Sequence, residues 1–385
     1  MYKTTVLWLL TSVFCVLLSG CCSGKTACCK SEDPYTKLLC DLIKIRPVTS
    51  DIAAVNKAQA MMMKFLSERG IYCTMERDGD RNVLFAASSP GKVQDYILCT
   101  HLDVVPAIDE KQYEPVIKDG VIYGRGTSDC LGSSVAAAKL LCSLPKGKKV
   151  GCIFTSDEEV GGSTTAFMVN KGYKVVKSAI VIDSSGIVYG QKGILNLKVT
   201  AHGKGGHSSA PWNCDNPVIK LVNGLHRISE KWQNPANAKD WRTSLAITVI
   251  QAGDVINRIP EKAEALLNFR FTKIEEIDKI VDFIKKESGL EVTVLRISDP
   301  FETNPDLPEI QKAVKAYNRA FNKNIKPKRI CGATDARHIY KMGCPTFATG
   351  VNGKGAHGAN ERLELASIDY MVSMVLELVD TPANL

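Results

Sequence analysis

Val150-Gly-Cys-Ile-Phe-Thr-Ser-Asp-Glu-Glu-Val-Gly-Gly162 is the stretch on which the fold turns. The apolar run Val150–Phe154 has the length and character of a buried strand, and the glycine pair lets the chain out of the acidic loop that follows. Glu158 and Glu159 sit side by side at the strand end. On an extended backbone, neighbouring side chains point to opposite sides, so the two carboxylates should do different jobs. One could hold a metal while the other faces a substrate. An isolated Asp-Glu-Glu is more often an exposed acidic loop, so the rest of the chain has to decide.

Working outward, strands are expected at Tyr72–Glu76, Asn82–Ala87, Asp95–Thr100 and Ala179–Ile182. Helical spacing of Ile52, Val55, Met62 and Leu66 predicts helix between Pro34 and Gly70. A small-residue helix runs through Val135 and Leu141 after the glycine-rich turn Gly124–Gly132. Strands alternating with helices predict an α/β sandwich around a largely buried sheet. The pattern changes near Ile194, where Leu195, Leu197 and Val199 alternate with polar residues. From there the order reads β-α-β-β-α-β, a split βαβ unit. Its helices carry Val218, Leu221, Leu225 and Ile228, then Ile277, Ile280 and Ile284; its later strands are Leu245–Gln251, Ala263–Thr272 and Val292–Ile297. The first pattern resumes with a helix through Ile310 and Tyr317, a strand Thr346–Thr349 and a helix through Ile368–Val379. The expected organisation is a main domain over 34–193 and 303–385, with 194–302 inserted.

The chain has 385 residues, 45% hydrophobic and 23% charged, with a formal net charge of +8. It lacks the dense basic runs with interleaved aromatics of a nucleic-acid binder, so no nucleic-acid partner is expected. At the N-terminus, Lys3 precedes the apolar run Val6–Leu18, shorter than the roughly 20 residues of a membrane span and suited to a signal-peptide core. Leu18-Ser-Gly-Cys21 resembles the lipobox of bacterial lipoproteins. That implies loss of 1–20, lipidation of Cys21, a tether over 21–33 and an exported, membrane-anchored protein on the periplasmic or cell-surface face. Export permits disulfides. Of the 14 cysteines, Cys99, Cys152 and Cys331 sit in apolar or glycine-rich segments and read as small core residues.

Four further patches join the glutamate pair. Leu98-Cys-Thr-His101-Leu-Asp103 delivers a histidine and, two residues on, a carboxylate able to accept its second ring N–H. Tyr123-Gly-Arg-Gly-Thr-Ser-Asp129-Cys-Leu-Gly132 holds Asp129 in a glycine-loosened turn before a helix. Ile180-Val-Ile-Asp183 is another apolar strand ending in a carboxylate, and Gly355-Ala-His357-Gly-Ala-Asn-Glu361 is a loop before the last helix. His101, Asp129, Asp183, His357 and one of the glutamate pair make a mixed oxygen and imidazole set. It suits zinc, with Co2+ or Mn2+ as possible substitutes. Two ions roughly 3.5–4 Å apart can share a hydroxide and polarise a carbonyl. The glutamate left free would take the proton and pass it to a leaving amine.

Together, the order His-x-Asp, Gly-Arg-Gly-x-x-Asp, Asp-Glu-Glu, Asp and a late His resembles the dinuclear-zinc aminoacylase and carboxypeptidase family. That family includes succinyl-diaminopimelate desuccinylase, acetylornithine deacetylase and bacterial di- and tripeptidases. The resemblance covers nearly the whole chain after residue 34. It implies a zinc-peptidase-like α/β/α sandwich with an inserted ferredoxin-like domain that serves as lid and homodimer contact. It implies two Zn2+ per subunit, bridged by Asp129, with His101 and Asp183 completing one site and Glu159 and His357 the other. Asp103 would orient His101, and Glu158 would be the general base. Gly203-Lys-Gly-Gly-His207 resembles a segment whose histidine reaches the partner subunit's active site and stabilises the oxyanion. Asn257 in Asn-Arg-Ile-Pro260, Arg270, and Arg337 in Gly332-Ala-Thr-Asp-Ala-Arg337 are implied to bind substrate, Arg337 by pairing bidentately with a carboxylate. Asp129-Cys-Leu-Gly132 departs from the family's Asp-x-Lys-Gly. Asp183, where the desuccinylase branch has Glu, leans toward peptides. The implied activity is hydrolysis of amide bonds in small peptides or N-acyl amino acids, as an exopeptidase or dipeptidase. The rivals are a desuccinylase or deacetylase, or a catalytically silent metal-binding scaffold.

Overall fold

The computed structural model describes residues 26–27 and 31–380. The expected signal segment, Cys21 and most of the tether lie outside these residues. The centre is a nine-stranded sheet. From edge to edge it runs Phe301–Glu302, Val188–Gln191, Thr346–Thr349, Lys174–Ile182, Val93–His101, Val150–Thr155, Arg81–Ala87 and Tyr72–Asp78, with Lys328–Ile330 also paired to Val188–Gln191. The four strands from Thr346–Thr349 to Val150–Thr155 are mutually parallel. They are therefore buried on both faces, and Val150–Thr155 is buried at every residue.

Helices cover the two faces. Pro34–Ile45 and Ile52–Ser67 replace the single helical stretch expected before Gly70. The break follows from local chemistry. Arg46 closes the first helix in the left-handed region (φ 59°), Pro47 follows it, and the Asp51 carboxylate caps the second by accepting from Ala54 N–H. Leu131–Ser143 is almost wholly buried, because its small residues let the backbone approach. At Gly132 a Cβ would collide with the Thr127 carbonyl. Leu39, Met62, Leu98, Val135, Phe154, Ile310 and Met374 belong to one apolar core.

A second, four-stranded antiparallel sheet runs Ser244–Ala252, Lys262–Phe271, Gly193–His202, Glu291–Ser298. Helices Pro217–Lys231 and Glu276–Phe283 cover one face, and the latter continues as a π turn through Ser288. Leu195, Leu197, Leu225, Phe269 and Ile280 form a separate core there. The alternation read in the sequence is therefore a one-sided sheet. A small sheet was not anticipated. Thr26–Ala27, Val116–Lys118, Val121–Tyr123, Arg362–Glu364 and Gly353–Lys354 pair in that order, and the hairpin falls where the sequence reads as loop. Its strands have only two or three residues, too short for a periodic signal. Cys99 and Cys152 are buried as expected, but Cys331 is exposed, because its glycine-flanked segment is a surface loop and not core.

Candidate functional site

The parallel strands end at one edge of the large sheet, where open α/β sheets place ligands. His101 closes its strand, Asp183 follows Ile182, and the Glu158–Val160 turn lies just past Thr155. Asp129 sits just before the helix Leu131–Ser143, and its peptide bond to Cys130 is cis. His357 comes from the loop between Gly353–Lys354 and Arg362–Glu364 and adopts φ 62°. All five converge. His101 Nε2 lies 3.2 Å from Asp129 Oδ1 and 3.8 Å from Asp183 Oδ1, while His357 Nε2 lies 3.2 Å from Asp129 Oδ2 and 3.0 Å from Glu159 Oε2. Asp129 thus offers one oxygen to each histidine.

The Glu158–Glu159 segment is a tight helical turn and not the extended backbone from which divergent roles were argued. The outcome survives the correction, since successive residues at about three per turn still point about 120° apart. Asp103 does more than was expected of it. His101 Nδ1 hydrogen-bonds the Asp103 carbonyl oxygen at 2.9 Å and lies 3.4 Å from its carboxylate. The buried carboxylate accepts from Thr49 Oγ1 at 2.8 Å and from the N–H groups of Glu158 and Glu159 at 3.2 and 3.4 Å. One aspartate therefore fixes both the imidazole and the glutamate turn.

The electrostatics are lopsided. No lysine or arginine forms an ion pair with Asp103, Asp129, Glu158, Glu159 or Asp183 among the described residues. Burial, more than any neighbouring charge, pushes Asp183 up to about 6 and Glu159 up to about 7. Burial, then the charges of Asp183 and Asp335, raises Glu158 well above the usual carboxylate range. Burial opposes the charge on Asp129 too, but hydrogen bonds from His101 and His357 hold it below that range. His357 is raised to about 9, first by its hydrogen bond to Asp129. Glu159 Oε1 is buried with no hydrogen-bond partner. Ligand atoms of His101, Asp129 and Glu159 all lie within 4.8 Å of one another, as do those of His101, Cys130 and Asp183. An orphaned buried carboxylate oxygen among oxygen and imidazole donors fits a divalent cation.

Behind this cluster lies a pair the sequence did not single out. Arg125 and Glu361 are 1% and 0% exposed and meet at 2.5 Å. Glu361 Oε1 accepts from the N–H groups of Ser128 and Asp129, and Arg125 donates to the carbonyls of His357 and Pro106. Both residues sit inside quoted motifs, and only their burial reveals the partnership.

The remaining expected residues stand elsewhere. His207 and Asn257 are exposed and line one crevice of about 290 Å³ on the four-stranded unit, with Arg258. No hydrogen bond or ion pair joins either to the strand-end cluster; the His207 ring contacts Ser209. Arg270 is half-buried on the open face of the four-stranded sheet. Arg337 is 3% exposed, and its terminal nitrogens donate to the carbonyls of Thr334 (2.6 Å) and Gly161 (2.7 Å), bracing the glutamate turn. Asp335 beside it accepts from Thr155 and Thr165 hydroxyls.

Comparison with known proteins agrees with this architecture. A succinyl-diaminopimelate desuccinylase of a Ruegeria species is 26% identical over 371 residues, spanning 88% of this chain and 92% of its own length. A tripeptidase from Staphylococcus aureus superposes with a TM-score of 0.75 at 20% identity, over 90% of this chain and 96% of the other. A metallo-carboxypeptidase from Sulfolobus solfataricus gives 0.72 at 16% identity, over 90% and 98%. The sequence profile of peptidase family M20/M25/M40 matches residues 97–381, from the strand that delivers His101 to the final helix, and the chain belongs to that family.

Proposed function

We propose that the chain hydrolyses amide bonds of small peptides or N-acyl amino acids with two divalent ions, zinc by preference. His101 and Asp183 would hold one ion and Glu159 and His357 the other, with an Asp129 oxygen available to each. The observation that carries this reading is the convergence of these donors at one strand edge, with a buried Glu159 oxygen that has no hydrogen-bond partner. When bound, such ions polarise a carbonyl oxygen and lower the pKa of a water to about 7. Glu158 is the proton carrier. It accepts a proton from the attacking water and releases it to the leaving amine. Asp103 keeps the glutamate turn and the His101 ring in register, through the bonds described above.

His207 has no contact with its own cluster, so its role is assigned across a homodimer, where it donates to the developing oxyanion of the other copy. The exposed apolar strand Ser244–Ala252, with Ile247, Val249 and Ile250, supports such a contact. Asn257 and Arg270 line the substrate side. Export and anchoring through Cys21 rest on the N-terminal sequence. Among the described residues no helix is long and apolar enough to cross a membrane. The second reading, a desuccinylase or deacetylase, draws on the names of the sequence relatives.

The deciding experiment measures metal content and hydrolysis of dipeptides against N-succinyl and N-acetyl amino acids, with and without chelator. Zinc-dependent turnover is expected to vanish on chelation; activity that ignores the chelator refutes the reading.

A further inference from the structure

The formal net charge of +8 is concentrated in one place. Positions 310–334 hold seven lysines and arginines and no aspartate or glutamate. Helix Pro308–Ala320 buries Ile310, Ala313, Ala316 and Tyr317, so Lys312, Lys315 and Arg319 fall on the opposite stripe. Their spacing of three and four residues stacks the charges within about 11 Å along the axis. Lys323 and Lys326 follow the helix, and both are exposed.

Like charges at this spacing repel and cost stability unless something offsets them. Next to the stripe the chain does offset them. On the helix Ala366–Asp380, Asp369 pairs with Lys139 and Glu377 with Arg319. Arg329 takes Glu302 at 3.5 Å, and Lys328 reaches Ser185. Lys312, Lys315, Lys323 and Lys326 have no carboxylate partner among the described residues.

The make-up of the stripe narrows its partner. Single-stranded nucleic acid needs aromatic faces on which its bases stack. The rings of this stretch, Tyr317 and Phe321, are 3% and 7% exposed and stack on each other. Lysine is a point charge without the fork that grips one planar anion, so a row of lysines suits an extended, diffusely negative surface. The position agrees. Helix Pro34–Ile45 packs on Leu131–Ser143, that on Ala366–Asp380, and that on Pro308–Ala320, all over one face of the large sheet. Residues 31–33 lead straight into Pro34. An anchor at Cys21, 13 residues earlier, would keep this layer within about 45 Å of a bilayer, the reach of an extended chain.

We propose that the outer surface of this helical layer, led by Lys312, Lys315, Lys323 and Lys326, docks on a bilayer rich in anionic lipid headgroups. The contact involves no hydrolysis, so it stands or falls apart from the reaction proposed above.

The test is flotation of the full chain with two kinds of vesicle, phosphatidylcholine alone and phosphatidylcholine with phosphatidylglycerol. Any apolar anchor inserts into both, so the ratio of the two partition coefficients isolates the charge. The ratio is expected to exceed about 30 near physiological salt and to fall toward about 1 in strong salt. The combined variant Lys312→Gln, Lys315→Gln, Lys323→Gln and Lys326→Gln should lose about fivefold per lysine until the preference is gone. The same four changed to arginine should keep it. Lys239→Gln, Lys273→Gln, Lys279→Gln and Lys285→Gln together alter the net charge equally on the inserted unit and should keep most of it. An equal loss there, no preference in the wild-type chain, or a preference that ignores salt overturns the proposal. Binding to heparin without preference for the anionic vesicles assigns the stripe to a soluble polyanion and overturns it too. Thermal unfolding run alongside guards against misfolding, since relieving like-charge repulsion should leave the midpoint unchanged or raised.

Discussion

Two charge clusters lie back to back, the buried Arg125–Glu361 pair and the group of His101, Asp129, Glu159, Asp183 and the exposed His357. The first carries its own cation. Its arginine and glutamate meet at 2.5 Å, and its remaining bonds go to the backbone of the Asp129 and His357 segments. The second has carboxylates that burial pushes up to about 6 and about 7, and an oxygen with no partner. Where the charge must be permanent, the chain supplies the counter-ion as a side chain. Where the charge serves chemistry, the chain leaves the deficit to an exchangeable ion. The balanced cluster props up the unbalanced one.

The sharpest test of this division is Glu158→Gln. It sits in neither ligand set, so turnover should fall by roughly 100–10,000-fold with metal content unchanged, read by steady-state kinetics beside elemental analysis. A parallel fall in bound metal would place Glu158 among the ligands and break the distinction. Next, Glu361→Ala strands Arg125 and should cost about 3–5 kcal/mol in denaturant unfolding. An unchanged midpoint would show that the pair is no prop.

Glu159→Gln should act with the opposite sign on the metal-free chain. Its folded pKa is about 7 against an unfolded value of about 4.3. Below about pH 4 both states are protonated and no penalty exists. Between about 4 and 7 the folded state holds more protons, so stability falls as pH rises, and above about 7 the full penalty, on the order of 3 kcal/mol, applies. The substitution should stabilise metal-free protein at pH 8, flatten that slope and weaken metal binding. Loss of metal-free stability at pH 8 would mean that the oxygen has a partner after all. The smallest effect belongs to the surface. Glu76 is held low, first by its hydrogen bond to Lys171 and further by Tyr173. Its stabilisation is present above the unfolded pKa and lost as pH falls through the folded one, so Glu76→Gln should cost no more than about 1 kcal/mol at pH 7 and nothing near pH 2.

The residues of the unbalanced cluster were legible in the sequence because each ends an apolar strand or sits in a glycine-rich turn, and both signals are local. The β-α-β-β-α-β order was legible through periodicity. The props were not. Arg125 and Glu361 lie 236 positions apart, and nothing local distinguishes a buried arginine from a solvated one. The bracing role of Arg337 was hidden for the same reason, since a loop arginine gives no sign that two backbone carbonyls hold it.

The parallel pairing of Thr346 with Ala179 has a consequence for how the protein is made. The inserted unit separates these neighbours in sequence, and loops of that length close slowly. At about 5–20 residues per second, His357 leaves the ribosome roughly 9–35 s after Asp183. Until it arrives, a nascent chain offers His101, Asp129, Glu159 and Asp183 alone. On the proposed ligand set, the site of Glu159 and His357 is complete only at the end of synthesis.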